Sequence, residues 1–369
     1  MSEQKVRKII LADGTEVVGL GFGSDKEAVV ELVFNTSMVG YQEILSDPSY
    51  TDQAVIMTYP LIGNYGINDE DYETINPSIS GFIVRDYNDE PSNFRSRHTM
   101  DEIMKKYGIV GISGVDTRKL TRHIRDYGSC LALLTDSETT VEEGLIKIKN
   151  YEVPHDAVAR VSTSKIYELG NNIAHEFHVV AIDCGMKRNI TRMMVQKGLK
   201  VTVVPWDTPS EQIMSFAPDG IFISNGPGDP EDVTATIETI KNLHGKCPIF
   251  GICLGHQIIS LSYGAKTYKL KFGHRGGNHP VKNLLTDKLE ITSQNHSYAV
   301  DVESVKATEL EITHLNLLDQ TVEGVRCKKD RVLSVQYHPE SAPGPQDSSY
   351  LFDNFIALMK EWKGEKINA

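Results

Sequence analysis

The segment whose residues are best suited to catalysis is Gly251-Ile252-Cys253-Leu254-Gly255-His256-Gln257. It directly follows the apolar run Pro248-Ile249-Phe250. Glycines two positions before and two positions after a cysteine permit the sharp strand-to-helix turn of a hydrolase nucleophile elbow. The helix that follows should direct its N-terminus at Cys253, where its dipole favours the nucleophilic thiolate. A cysteine after an apolar strand is usually a packing residue, but these flanking glycines favour a nucleophile.

A base and an acid follow a second apolar run further along the chain. Residues 332–336 predict a buried strand that ends at Tyr337-His338-Pro339-Glu340. In a Cys–His–acid arrangement, His338 would take the thiol proton and later return one to the leaving group, while Glu340 would hold the ring in the useful tautomer. His256 is the alternative base, but no acid accompanies it, and we expect it to face the packed side of its helix.

These motifs resemble those of the class I glutamine amidotransferases, and further segments are similar to the small-subunit family of carbamoyl-phosphate synthetase. In the carboxyl-terminal half these segments are Asn225-Gly226-Pro227-Gly228-Asp229-Pro230, residues 271–280 and Gln294-Asn295-His296. In the amino-terminal half they are residues 34–45, Asp47-Pro48-Ser49-Tyr50 and residues 116–122. The resemblance spans nearly the whole chain, and its amino-terminal part distinguishes this family from other amidotransferases.

The resemblance implies a reaction and a partner. Cys253 would attack the side-chain amide of L-glutamine to form a γ-glutamyl thioester, His338 would protonate the departing amine and then activate water, and Glu340 would orient His338. Ammonia would pass to a large synthetase subunit, which uses ATP, Mg and bicarbonate to make carbamoyl phosphate for arginine and pyrimidine biosynthesis. The chain itself has no Walker-type phosphate loop and should need no cofactor of its own.

The resemblance also implies which residues bind glutamine: Ser49, Gly226, Gly228, Leu254, Gln257, Asn295, Ser297 and Tyr298. The family pattern has Gly-Phe where this chain has Ser297-Tyr298. Backbone contacts would tolerate both changes, provided that Ser297 does not need a positive φ. The backbone N–H groups of Leu254 and Gly226 are the candidate oxyanion donors. Because Ser49 lies in the amino-terminal half, that domain would have to border the active site.

Composition excludes several classes of protein. The net charge is −12, from 38 Lys+Arg and 50 Asp+Glu, which argues against binding to nucleic acid or anionic membranes. Five cysteines without paired spacing predict neither a disulfide framework nor a zinc site, and His274, His279 and His296 match no zinc signature, so we expect no metal. The sequence has no signal-like start and no run of about 20 apolar residues. We therefore expect a soluble cytoplasmic protein.

The chain divides into two α/β domains. Residues 1–150 predict a mixed β/α domain that opens with a hairpin at Asp13-Gly14. The glycines of residues 19–23 superficially match a dinucleotide-binding loop, but their spacing is wrong and no βαβ helix follows. Residues 151–176 lack periodicity and predict a linker. A helix predicted from residue 116 or 117 to about residue 126 carries a basic cluster, Arg118, Lys119, Arg122 and Arg125. This cluster forms either a solvated face or a surface that docks an acidic partner.

The resemblance implies that residues 177–369 form a class I amidotransferase α/β domain, and their alternation of predicted strands and helices favours a largely parallel central sheet. The predicted strands are residues 178–182, 200–204, 220–224 and 248–252, and the predicted helices are residues 187–197 and 232–243. In such sheets, ligands bind at the carboxyl ends of the strands. The loop at residues 224–228, Cys253 and His338 all follow predicted strand ends and should therefore converge. Cys184 also follows a strand but lacks the elbow glycines, so we expect it to pack.

Two other functions fit part of the pattern. The chain could be a free-standing γ-glutamyl hydrolase, although such an enzyme needs no amino-terminal domain of this kind. It could also be a catalytically silent scaffold that positions a synthetase, although Cys253, His338 and Glu340 are all present.

Overall fold

The structure is a computed structural model that describes residues 5–368, with side chains up to residue 365. The chain forms two compact units, Met1–Pro154 and His155–Ala369.

The first unit is built on a closed β-barrel with strand order β1-β2-β8-β6-β4-β3-β9. Its strands are β1 (Val6–Leu11), β2 (Glu16–Gly23), β3 (Ala28–Asn35), β4 (Gln53–Met57), β5 (Leu61–Ile62), β6 (Gly81–Ile83), β7 (Asp86–Tyr87), β8 (Val110–Ser113) and β9 (Cys130–Asp136). Its helices are α1 (Tyr41–Ser46), α2 (Met100–Tyr107), α3 (Thr117–Tyr127) and α4 (Val141–Lys149), with a 3₁₀ turn at Pro48–Tyr50.

Local sequence signals explain several of these elements. β1 and β2 pair antiparallel around Gly14, whose φ of 85° is the left-handed conformation that the predicted hairpin turn requires. Thr99 and Glu102 form a capping box at the start of α2, and the side chain of Asp116 caps α3. The glycines of residues 19–23 belong to β2, so they form no phosphate-binding loop.

The second unit contains a ten-stranded sheet with helices. Its strands are β10 (Tyr167–Leu169), β11 (Phe177–Asp183), β12 (Leu199–Pro205), β13 (Gly220–Ile223), β14 (Ile249–Ile252), β15 (Thr267–Asn283), β16 (Lys288–Val300), β17 (Glu311–Asn316), β18 (Val322–Cys327) and β19 (Val332–Val335). Its helices are α5 (Ala157–Val161), α6 (Arg188–Gln196), α7 (Ser210–Ser215), α8 (Thr234–Leu243), α9 (Leu254–Ser262), α10 (Val302–Val305) and α11 (Tyr350–Asn368), with a 3₁₀ turn at Pro230–Asp232.

The sheet order is β10-β12-β11-β13-β14-β19-β18-β16-β15-β17. The five strands from β12 to β19 in this order are mutually parallel, and the remaining neighbours pair antiparallel. The parallel strands are buried apolar runs, as expected for strands covered by helices on both faces. Their carboxyl ends therefore lie along one edge of the sheet, where the predicted site residues follow β13, β14 and β19.

Residues 151–176, which the sequence predicts to be a linker, contain regular secondary structure. The division between the units falls after Pro154, and α5 and β10 both lie within the segment. β10 pairs antiparallel with β12, so it is an edge strand of the second unit. A three-residue strand and a five-residue helix are too short to produce a periodic pattern, so neither could be predicted from the sequence.

No helix of the described chain is both long and apolar enough to cross a membrane. All five cysteines lie within the described residues, and each is a free thiol.

Candidate active site

The elbow predicted at Cys253 is present between β14 and α9. Cys253 has φ 55° and ψ −106°, a conformation that a residue with a side chain rarely adopts. Its backbone N–H donates to the carbonyl oxygen of Val335 at the end of β19, at 2.9 Å. The cysteine is therefore held in a strained turn at the strand ends, with α9 beginning at the next residue.

The elbow glycines are required by close packing. A Cβ on Gly251 would lie 2.5 Å from Cδ1 of Ile259 and 2.8 Å from the carbonyl of Gly255. A Cβ on Gly255 would lie 2.3 Å from the carbonyl oxygen of Ile223 in β13. Side chains at these two positions would push α9 away from the sheet, so the glycines allow the helix to approach and fix the position of Cys253.

His338 and Glu340 form a buried pair just after β19. Nδ1 of His338 lies 2.6 Å from Oε1 of Glu340, and both side chains are almost completely buried. Burial lowers the pKa of His338, but the Glu340 carboxylate raises it, and with a further contribution from the Cys253 thiol the pKa is about 10. The imidazole is therefore protonated near neutral pH. Glu340 holds Nδ1 in place, and Nε2 remains available for proton transfer.

The structure adds Lys187 and Asn189 to this group, and neither was singled out from the sequence. Nζ of Lys187 lies 3.1 Å from Oε1 of Glu340 and donates to the carbonyl oxygen of Ser341 at 2.7 Å. Nδ2 of Asn189 donates to the carbonyl oxygen of Glu340 at 2.6 Å. Burial raises the pKa of Glu340, but Lys187 and then His338 lower it to about 2. Both residues follow the carboxyl end of β11, so the strand-end rule could have pointed to them.

Gly226 and Leu254, the candidate oxyanion donors, lie against each other. A Cβ on Gly226 would be 2.7 Å from Cδ2 of Leu254 and 2.1 Å from the carbonyl oxygen of Cys184. Leu254 is the first residue of α9, so its N–H belongs to the unpaired first turn of the helix. Gly228 has a φ of 85°, which suits glycine at this loop position.

The remaining residues predicted to bind glutamine divide between the two units. Nε2 of Gln257 donates to the carbonyl oxygen of Tyr298 at 2.8 Å, and the carbonyl oxygen of Asn295 lies 3.6 Å from Sγ of Cys253. Ser297 lies in β16 and is not among the residues with positive φ, so its backbone does not need glycine. Ser49 lies in the first unit, in the 3₁₀ turn at Pro48–Tyr50, where its N–H donates to Asp47. Contact of these residues with glutamine stays a prediction.

The structure supports packing roles for His256 and Cys184. Both are completely buried, and Nδ1 of His256 lies 2.9 Å from Oγ of Ser334. Burial lowers the pKa of His256 to about 3 and raises the pKa of the Cys184 thiol. A neutral imidazole and a protonated thiol at these buried positions indicate that His256 and Cys184 pack in the core and take no part in catalysis.

The described residues contain two clusters of metal-ligand types. Donor atoms of His274, His296 and Glu323 lie within 4.8 Å of one another, and so do those of Glu309, Cys327 and Asp330. Both oxygens of Glu323 accept hydrogen bonds from amides, and both ring nitrogens of His296 lie within 2.9 Å of an oxygen. An ion in the first cluster would have to displace these partners. That the chain needs no metal stays a prediction.

Comparison with known proteins extends the resemblance over the whole chain. The family model for the carbamoyl-phosphate synthase small chain, CPSase domain, matches residues 9–134, and that for glutamine amidotransferase class-I matches residues 180–358. A carbamoyl phosphate synthase small chain from Staphylococcus epidermidis is 51% identical over 98% of this chain and 99% of its own length. The small chain from Fusobacterium nucleatum is 53% identical over 95% of this chain and 97% of its own length. The small chain from Bacillus caldolyticus is 51% identical over 98% of this chain and 100% of its own length.

Proposed function

This chain belongs to the carbamoyl phosphate synthase small-chain family, and we propose that it is the subunit that hydrolyses glutamine and supplies ammonia to a synthetase partner. The observation that supports this most is the strained Cys253 elbow at the strand ends beside the buried His338–Glu340 pair. This arrangement combines a nucleophile, a proton donor and an orienting carboxylate at one edge of the sheet.

The proposed reaction begins at Sγ of Cys253. The thiolate attacks the side-chain carbonyl carbon of glutamine, and the tetrahedral intermediate collapses to a γ-glutamyl thioester as the C–N bond breaks. Nε2 of His338 gives its proton to the departing nitrogen, which leaves as ammonia. The imidazole then takes a proton from water, and the hydroxide attacks the thioester carbonyl carbon. The C–S bond breaks, which restores the Cys253 thiolate beside protonated His338, and the released carboxylic acid loses its proton to water to give glutamate.

Two sets of groups support these steps. The N–H groups of Leu254 and Gly226 would donate to the oxyanion, and losing one such donor typically costs about 3 kcal/mol of transition-state stabilisation. Glu340 and Lys187 act without touching the substrate. Glu340 accepts a hydrogen bond from Nδ1 of His338, which leaves Nε2 for proton transfer, and Lys187 keeps Glu340 ionised.

The ammonia requires a consumer, because free ammonia would be lost to water as ammonium. The relatives are small chains of a synthase, so we propose a large subunit as partner, with ATP and Mg used there and the product serving arginine and pyrimidine biosynthesis in the cytoplasm. The relatives match the first unit as well as the second. A free-standing hydrolase or a silent scaffold would explain that match less well.

The test is glutamate release from glutamine by the purified chain, alone and with its large subunit. Wild type should release glutamate, and Cys253→Ser should lose at least about 100-fold in kcat, because the nucleophile is gone. The control is Cys130→Ser, which changes a half-buried thiol in the first unit and should leave hydrolysis unchanged. Equal activity of wild type and Cys253→Ser would refute the proposal.

A further inference from the structure

Glu323 in β18 is a completely buried carboxylate that the reaction above does not use. Its Oε1 accepts from Nδ2 of Asn316 at 2.8 Å, and its Oε2 accepts from Nε2 of Gln294 at 2.9 Å. Burying a carboxylate is costly unless hydrogen bonds and opposite charge offset the loss of water. A buried acid in the sheet beside the active site therefore needs an explanation.

The first part of the explanation is the nearby charge of His274. Nδ1 of His274 lies 3.7 Å from Oε1 of Glu323, and its Nε2 lies 2.8 Å from Oδ2 of Asp319. Burial lowers the pKa of His274, but Asp319 and Glu323 raise it to about 9, so the ring is cationic near neutral pH. His279 and His296 also face this ring. His274 thus neutralises part of the buried charge and connects it to the partly exposed Asp319.

The second part is a chain of hydrogen bonds from Glu323 to the candidate glutamine site. A carboxylate only accepts, so Gln294 must direct Nε2 at Glu323 and Oε1 at His296. Oε1 of Gln294 lies 2.9 Å from Nε2 of His296. Burial lowers the pKa of His296 well below its usual value, so the ring is neutral and its single N–H, on Nε2, donates to this oxygen. Two residues further along β16, the carbonyl oxygen of Tyr298 accepts from Nε2 of Gln257 in α9.

The strand segment of residues 294–298 is therefore held at one end by Glu323, through Gln294 and His296, and at the other end by Gln257. Asn295 lies between Gln294 and His296, and its carbonyl oxygen is 3.6 Å from Sγ of Cys253. Of the residues predicted to bind glutamine, Asn295 and Tyr298 thus lie in this segment, and Gln257 donates a hydrogen bond to it.

We propose that Glu323 is a positioning residue for glutamine: by fixing the Gln294 amide and, through it, His296, it holds residues 295–298 in the binding geometry. The role of Glu323 rests on the proposed function, because Glu323 would support the glutamine site without touching the substrate.

The test is steady-state hydrolysis by the complex of this chain with its large subunit, comparing Glu323→Gln with wild type. A glutamine side chain keeps the shape but places an NH₂ donor against an amide donor of Gln294 or Asn316. The KM for glutamine should rise about tenfold, equivalent to about 1.4 kcal/mol, while kcat stays within about threefold. Ammonia-dependent carbamoyl phosphate synthesis should not change.

The matched control is Glu311→Gln. Glu311 lies in β17 of the same sheet and pairs with Arg326 at 2.8 Å, but it is exposed and has no part in the chain to Gln294. Its KM should match that of wild type. A twofold or smaller rise in KM for Glu323→Gln, an equal rise for Glu311→Gln, or a fall confined to kcat would each overturn the proposal. So would a stoichiometric metal ion that is lost in Glu323→Gln.

A second variant keeps the proposal testable if Glu323→Gln does not fold. Gln294→Met removes the hydrogen bonds of the amide to Glu323, His296 and Thr292 at similar volume and should produce the same rise in KM. Where both variants fold, the double variant should show no more than the larger single rise, because both act on one path; a multiplied effect would overturn the proposal. Failure of wild type to hydrolyse glutamine would refute the proposed function instead, which separates the two results.

Discussion

At the residue scale, the site depends on a buried charge pair coupled to a strained cysteine. Glu340 raises the pKa of His338, and Lys187 and His338 together lower the pKa of Glu340, so each group holds its neighbour in the ionised form. The ionised pair keeps a proton donor next to Cys253, where the departing ammonia requires one. The same coupling makes stability depend on pH.

We expect that dependence to have two limits. His338 has a pKa raised from 6.5 to about 10, so its contribution to the free energy of unfolding is complete below pH 6.5 and is lost as pH rises through 10. Glu340 has a pKa lowered from 4.5 to about 2, so its contribution is complete above pH 4.5 and is lost as pH falls through 2.

The measurement is the difference in melting temperature between wild type and Glu340→Gln across pH 2 to 10, by thermal unfolding of the full chain. The melting temperature of wild type relative to that of Glu340→Gln should be highest between pH 4.5 and 6.5. It should fall both below pH 4.5 and above pH 6.5. A difference that does not vary with pH would mean that the pair is not ionised as described.

Sequence motifs identified Cys253, His338 and Glu340 as candidates because each follows a strand end with distinctive neighbours. They did not identify Lys187, which reaches a carboxylate 153 positions away in the chain. Nor did they identify Glu323, whose role depends on pairing between strands. Contacts between distant positions leave no local pattern in one sequence, and this is the physical limit of the prediction.

At the scale of elements, the site exists because parallel strands end along one edge and a helix packs unusually close to them. The apolar runs predicted the parallel strands to within one or two residues, since fully buried strands are continuous and bounded by turns. The long β15–β16 pair was not predicted. Its burial does not alternate regularly, and its register shifts between Lys269 and His274 and again before His279.

The close approach of α9 gives a direct prediction. Gly255→Ala should lower the free energy of unfolding by about 2 kcal/mol and remove most glutamine hydrolysis, because its Cβ would meet the carbonyl oxygen of Ile223 at 2.3 Å. Urea unfolding and the glutamate assay check both effects. Gly364→Ala is the control: no described atom lies within 4 Å of its Cβ, so α11 should be unchanged or slightly stabilised. Wild-type activity in Gly255→Ala would show that the elbow tolerates a wider helix–sheet spacing.

At the scale of the whole molecule, each unit has its own core and its own family match. The sequence predicted two domains but not the closed barrel of the first, since its strand order depends on pairing between distant segments. The first unit carries the basic helix α3, in which Arg118, Lys119, Arg122 and Arg125 are all exposed. An exposed basic stripe on an acidic protein suits docking to an acidic partner surface.

Charge reversal on α3 tests that role. Arg118→Glu with Arg122→Glu should slow association with the large subunit about tenfold at low salt, and the difference should shrink as salt screens the charges. Surface plasmon resonance at several ionic strengths measures the rate. Lys149→Glu, at an exposed position of α4, is the matched control and should have little effect. An unchanged association rate would leave α3 as a solvated face.

We propose above that Cys253 releases ammonia from glutamine for a synthetase partner. Carbamoyl phosphate formation by the two subunits tests it most directly, with bicarbonate, ATP and either glutamine or ammonia, in wild type and Cys253→Ser. Wild type should use both nitrogen sources, and Cys253→Ser should lose synthesis from glutamine while keeping synthesis from ammonia. Synthesis from glutamine by Cys253→Ser at the wild-type rate, or a wild-type complex that works only with ammonia, would show that Cys253 does not supply the ammonia.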